Sequence, residues 1–117
     1  MFLKIVKRND KMNNNLIKQA GDVSNILKVL SNKNRLIIVC SLIGKEQTVS
    51  EINDLLSDLS QSAISQHLSI LKANGIVEND KRGMNIYYSI KDERIVVLIK
   101  CLRDNFCSTP EIFDLKD

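Results

Sequence analysis

Residues 48–90 read TVSEINDLLSDLSQSAISQHLSILKANGIVENDKRGMNIYYSI, and their punctuation decides the fold. Thr48-x-x-Glu51 is a capping box: the hydroxyl takes the Glu51 amide while the carboxylate returns to the Thr48 amide. It opens a short helix to about Leu56. Ser60 caps the next helix, which ends at Gly75. A turn of about 100° per residue sorts that helix sharply. Ile64, Leu68 and Leu71 share one face, flanked by Ala63, His67 and Ile70. Ser62, Ser65, Gln66 and Ser69 share the opposite face. Ile76-Val77 then leads into a charged run, Arg82-Gly83 supplies a turn, and Asn85 to Ile90 alternates with Ile86, Tyr88 and Ile90 on one side. Two short helices followed by such a hairpin make a winged helix-turn-helix, mostly α with a small β-hairpin. Small hydroxyls and an amide on the exposed face of its second helix suit base edges and phosphates. Lys81, Arg82 and Asn85 fall near the hairpin tip, within reach of sugar and phosphate, although plain turn residues would look the same.

Upstream, residues 14–30 carry Leu16, Ile17, Val23, Ile26, Leu27 and Leu30 at the spacing of one helix face, with Gly21 as a point of weakness. Ser31 or Asn32 caps a second helix, 33–43, with Leu36, Val39, Cys40 and Ile43 on a stripe and Gly44 at its end. Downstream, a last helix runs from about Asp92 to Cys107 with Ile95, Leu98, Ile99, Leu102 and Phe106 on one stripe. Its position at the end of the chain suggests a dimer formed by the first and last helices. Residues 13–108 are thus the DNA-binding and dimerisation domain. Residues 1–12 read as a disordered N-terminal arm, with Met12 as an alternative start, and residues 109–117 as a tail.

A chain of 117 residues is one domain on size alone. Aromatics are 4% and Trp is absent, so the core is built from Ile, Leu and Val. The net charge of +3 is unevenly spread. Residues 46–60 hold Glu46, Glu51, Asp54 and Asp58 and no base. Residues 61–91 hold Lys72, Lys81, Arg82 and Lys91 against Glu78 and Asp80, a mild basic bias consistent with phosphate contact. The start MFLKIV is too short for a signal-peptide core, and no run approaches the ~20 apolar residues that span a bilayer. A cytoplasmic protein is expected. Its three cysteines, Cys40, Cys101 and Cys107, form no secreted disulfide framework and no CxxC. In a reducing compartment they are thiols. Cys40 on an apolar face is also the kind of residue that serves as a small buried hydrophobe.

From about Leu27 to Cys107 the chain resembles the ArsR family of bacterial winged-helix repressors. LSNKNRLIIVCSLI is similar to the family's second-helix signature, and SQSAISQHLSILKANGIV to its recognition helix and following strand. The resemblance implies a homodimer that reads a two-fold operator on double-stranded DNA through successive major grooves, with half-sites about 10–10.5 bp apart. It also implies a regulator and not an enzyme. Metal-sensing members carry Cys-x-Cys before the recognition helix, or Asp/His and His/Glu pairs in the last helix. Here the former helix is SEINDLL and the last helix has no His, so no metal or cofactor is expected. His67 falls where the family pattern SxHL has its histidine, as a packing residue.

Cys40 and Cys107 match in placement the two cysteines of the persulfide-sensing branch, the BigR and SqrR type of repressor. That likeness implies thiol sensing by Cys40 and Cys107. In that branch reactive sulfur species bridge the pair within one subunit, DNA is released, and sulfide-detoxification genes are expressed, and the same is implied here. The chain departs from the branch by an extra residue near Ser57–Asp58 and by a third thiol. Cys101 lies about 120° around the helix from Cys107, and a packing role is expected for it. Two alternatives stay open: an ArsR-type repressor that senses a metalloid or another effector, and a winged helix used as a protein-interaction module.

Overall fold

The computed structural model describes residues 10–107, with side chains from Asn13 onward. Most of the expected N-terminal arm and the expected tail lie outside the described residues. Asp10–Met12, assigned to that arm, belong to the first helix.

Among the described residues, five helices and one hairpin follow in order. Helix α1 spans Asp10–Leu30. At 1.5 Å per residue its 21 residues reach about 31 Å. It runs unbroken through Gly21, where a helical glycine costs only about 1 kcal/mol and nothing crowds the position. Helix α2 covers Lys33–Leu42. The Asn32 carboxamide caps it by accepting the Arg35 amide at 3.1 Å. It stops at Ile43, and Gly44 takes the left-handed turn that follows at φ +80°.

Helix α3 is a single seven-residue element, Val49–Leu55. Both halves of its capping box are formed: Glu51 N donates to Thr48 Oγ1 at 3.2 Å, and Thr48 N donates to Glu51 Oε1 at 2.9 Å. Such a short helix has little propensity of its own, so its first turn depends on this cap. Thr48→Ala is expected to lower stability by about 1 kcal/mol. A urea midpoint that does not move would deny the cap its weight, and an unchanged m-value checks that only stability was altered.

Helix α4, Gln61–Ala73, starts at Ser60, whose side chain accepts the Ala63 amide at 3.1 Å. It ends at Asn74, followed by Gly75 at φ +74°. Strands β1 (Val77–Arg82) and β2 (Asn85–Ile90) pair antiparallel from Val77↔Ile90 to Arg82↔Asn85. Gly83 and Met84 form the two-residue turn. Gly83 has φ +62° and Met84 does not, the sign pattern of a II′ hairpin turn with glycine first. Gln47 adds a one-residue antiparallel bridge to Tyr88. Helix α5, Glu93–Phe106, begins at Asp92, whose carboxylate accepts the Arg94 amide at 3.0 Å.

The core gathers Val29 and Leu30 from α1, Ile38, Val39, Cys40 and Leu42 from α2, Ile52 from α3, and Ile64, Leu68 and Leu71 from α4. Ile76, Val77, Ile95 and Ile99 complete it. Aliphatic side chains fill it as expected. Helix α4 packs on α2, α3 and β1, so its apolar face is consumed and its polar face is left outward. Of the expected hairpin stripe, Tyr88 and Ile90 pack against the core while Ile86 stays exposed, because the tip runs past the helices. The stripe of α5 is likewise divided: Ile95 and Ile99 are buried, Leu98 and Leu102 are half-buried, and Phe106 is 81% exposed. Most of α1 is uncovered too, with Ile17, Val23 and Leu27 exposed.

Candidate nucleic-acid interface and thiol pair

The second helix of the helix-turn-helix presents one continuous polar face. Ser62, Ser65, Gln66 and Ser69 are all exposed, and Lys72 extends the same helix with a positive charge near its end. Behind them Ile64, Leu68 and Leu71 are fully buried. The rotational setting of the reading face is therefore held by packing. Gln61 at the first turn donates to Ser50 Oγ on α3 at 3.4 Å, a link between the two helices that sequence reasoning missed. His67 is half-buried on the inward flank, in keeping with a packing role. Its Nδ1 is buried and has no hydrogen-bond partner among the described residues. Desolvation lowers its pKa, and the nearby Arg35 charge adds to that, so both favour the neutral imidazole.

On the hairpin, Lys81 and Asn85 are exposed at the tip as expected. Arg82 is different. Its guanidinium pairs with Glu46 at 2.6 Å and with Asp80 at 3.3 Å, and it lies 4.0 Å from the centroid of the Tyr87 ring. The Glu46 hydrogen bond is the main cause that holds its pKa above the ordinary arginine value. In the free chain this arginine is directed to carboxylates on both sides.

Glu46 belongs to a strap that joins α2 to α3. The next residue, Gln47, is the one buried polar side chain among the described residues. Its Nε2 donates to Ser41 O at 2.5 Å. Its backbone donates to Tyr88 O at 3.0 Å and accepts from Tyr88 N at 2.8 Å. The strap thus ties the end of α2, one residue past Cys40, to the hairpin. Nothing in the periodicity of the sequence marks Gln47, which looks like any loop glutamine.

The three thiols occupy three environments. Cys40 is buried, 8% exposed, in the body of α2. Cys107 is half-buried at the C-cap of α5, its amide donating to Arg103 O at 3.2 Å. Burial pushes the Cys40 thiol up from 9.0 to about 12, and negative charge on Cys107 contributes to the rise. The fold therefore brings these two sulfurs, far apart in sequence, within electrostatic reach of one another. Cys101 corrects an expectation. It is exposed on α5 instead of packed, with Asn105 Nδ2 donating to its carbonyl at 2.8 Å and lying 3.6 Å from its sulfur. Its position about 120° from Cys107 turns it away from the core. Among the described residues no three His, Cys, Asp or Glu side chains come together as a metal site. No described helix is long and apolar enough to cross a membrane.

Residues 32–79, the two-helix reader and its approach, match the profile of the arsR family of bacterial regulatory proteins. The transcriptional activator HlyU of Vibrio cholerae is 35% identical over 82 residues, covering 70% of this chain and 75% of that protein. The chain belongs to the ArsR family. The biofilm growth-associated repressor of Xylella fastidiosa is 34% identical over 91 residues, covering 78% of this chain and 79% of that one. Its solved structure, the repressor BigR, superposes with a TM-score of 0.74 at 32% identity over 83% of this chain and 98% of the other. The reduced form of Vibrio cholerae HlyU gives the same TM-score, 0.74, over 80% of this chain and 98% of that one. This ArsR-family chain is accordingly a DNA-binding transcriptional regulator of the BigR-like branch, and the winged helix read from residues 48–90 is the family fold.

Proposed function

We propose that this ArsR-family chain is a dithiol-switched repressor in the bacterial cytoplasm. It releases operator DNA when reactive sulfur bridges Cys40 and Cys107, and it controls sulfide-detoxification genes. The observation that carries the reading is that the charge effect of Cys107, at the end of α5, reaches Cys40, buried in α2. Helix α2 packs on the reading helix α4, whereas α5, the last described helix, carries exposed Val97 and Phe106. A covalent bridge between them ties the position of the reading head to the helix that meets a second subunit. Uncovered apolar side chains on α1 and α5 support a homodimer through those helices.

The bridge forms by two displacements on an organic polysulfide, RS–Sx–SR. The Cys107 thiolate attacks an inner sulfur and expels RS⁻. Cys40 gives its proton to solvent, attacks the far end of the bound sulfur chain and expels the second RS⁻. Two electrons pass from the thiol pair to the donor, and x sulfurs stay in the bridge. Each inserted sulfur adds roughly 2 Å of reach beyond a plain disulfide.

The test is fluorescence anisotropy of the reduced protein on the DNA upstream of its own reading frame, before and after a polysulfide donor. Binding that collapses and returns with a thiol reductant supports the switch. Binding that ignores the donor keeps the DNA reader and discards the sulfur effector.

On the reading face, Ser62, Ser65, Gln66 and Ser69 are assigned to base and phosphate contact, with Lys81, Arg82 and Asn85 on the flanking backbone. Of the four α4 residues, Gln66 is the one with a bidentate amide. Gln66→Ala is expected to weaken operator binding about tenfold while leaving binding to scrambled duplex unchanged. Equal losses on both duplexes would reassign it to phosphate contact.

A further inference from the structure

We propose that Glu46 competes with DNA phosphate for Arg82, so that the strap between α2 and α3 sets the affinity of the wing for the duplex. The inference rests on the reading of the hairpin as a DNA-contacting wing. Its ground is geometric. Glu46 Oε1 lies 2.6 Å from an Arg82 terminal nitrogen, closer than Asp80 at 3.3 Å, and both Arg82 and Glu46 are half-exposed. Asp80 sits on the same strand as Arg82 and travels with it. Glu46 does not: it is anchored beside α2 by Gln47, which bonds to Ser41 O and to both backbone polar groups of Tyr88. The Tyr87 ring at 4.0 Å supports the guanidinium in that inward setting.

The consequence is electrostatic. A cation that leaves solvent for phosphate releases roughly 0.9 counterion from the DNA. An arginine that must first leave a carboxylate uncovers a negative charge, which gathers a cation in turn and repels the incoming duplex. Arg82 then contributes little net ion release. Removing the charge of Glu46 while keeping its shape frees that contribution. Exposed ion pairs are worth little in stability, so the effect falls on DNA binding and not on folding.

The experiment measures affinity for a short fluorescein-labelled duplex of mixed sequence as a function of salt, since the phosphate contribution does not depend on sequence. Four proteins are compared: the unaltered chain, Glu46→Gln, Arg82→Ala and the double variant, with Asp80→Asn as a control. Glu46→Gln is expected to bind about three- to fivefold tighter at low salt. Its slope of log affinity against log salt steepens by about one. Both gains vanish in the Arg82→Ala background. An unchanged affinity and slope in Glu46→Gln overturns the proposal. So does an equal gain in the double variant, which would make Glu46 a plain repeller of DNA, and so does a gain confined to Asp80→Asn. If every variant binds the duplex with one affinity and one slope, Arg82 does not touch DNA, and the assignment of the wing falls as well. Binding that is salt-independent or absent in all of them removes the DNA reader itself and with it the competitor.

Discussion

Replacing Cys107 by serine is expected to leave duplex binding unchanged and to abolish release by polysulfide. The side chain is half-buried at a helix end, so the serine hydroxyl meets water and costs little. The coupling it removes is large: a shift of ~1–3 kcal/mol between bridged and reduced states corresponds to roughly 5–150-fold in DNA affinity. Cys40 needs a different substitution. It is 8% exposed within the apolar core, and a hydroxyl there carries a desolvation cost of about 1–3 kcal/mol unless it finds a carbonyl. Cys40→Ala removes the sulfur without adding a polar atom and leaves only a small void. Cys40→Ser and Cys40→Ala together separate loss of chemistry from loss of fold. Anisotropy titrations with and without donor decide the matter. A Cys40→Ala protein that binds DNA and still releases it on treatment sinks the two-thiol bridge. Release that also survives in Cys107→Ser but is lost in Cys101→Ser moves the sensor to the exposed thiol.

Much of this arrangement is legible in the residues because it is local. A capping box, a Ser60 cap and a Gly75 exit bracket the two helices of the reader, and each is a contact between residues three or four apart. The two faces of α4 follow from spacing alone, since burial of Ile64, Leu68 and Leu71 leaves the serines and Gln66 outside. What spacing leaves silent are contacts between distant segments. Glu46 looks like one acid in an acidic run, and Arg82 like a free basic tip residue. Their ion pair exists only because Gln47 lays the strap along β2. Helix α1 extends back to Asp10, past the point where the apolar stripe begins, because helix hydrogen bonding continues through polar residues without needing a buried face. Cys101 escapes the spacing argument for a related reason. A helical stripe names the buried side but not its width, and α5 buries only Ile95 and Ile99 fully. The pairing of Cys40 with Cys107 came from family resemblance. Nothing in the spacing of residues so far apart requires it, and only the folded chain supplies the charge effect between them.

The two thiols are also expected to differ sharply in reactivity. Cys40 is raised from 9.0 to about 12, chiefly by burial and then by charge on Cys107. Near neutral pH a rise of that size leaves about 1000-fold less thiolate than an ordinary cysteine has. The more basic sulfur is also the stronger nucleophile, with a slope of about 0.4–0.5, so ionisation alone slows it by roughly 30–60-fold. Shielding by the core slows it further, since attack waits for local opening. Iodoacetamide labelling followed by peptide mass spectrometry should find Cys107 modified before Cys40, with Cys40 slower than an ordinary thiol by at least about 30-fold. Its labelling rate should keep rising with pH beyond 9.0, where an ordinary thiol levels off. The sign for stability follows from the same shift. The unfolded chain ionises this thiol near 9.0 and the folded chain near 12, so its contribution is intact below about pH 9 and is lost as pH climbs toward 12. Equal labelling of both sites, or a Cys40 rate that flattens near pH 9, would contradict the buried assignment. The asymmetry orders the chemistry. In the proposed switch the first sulfur bond is expected at Cys107, with Cys40 closing the bridge from within the core. On that proposal a donor that reaches only the surface is still expected to commit the reading head, because the second attack is delivered by the helix that packs against α4.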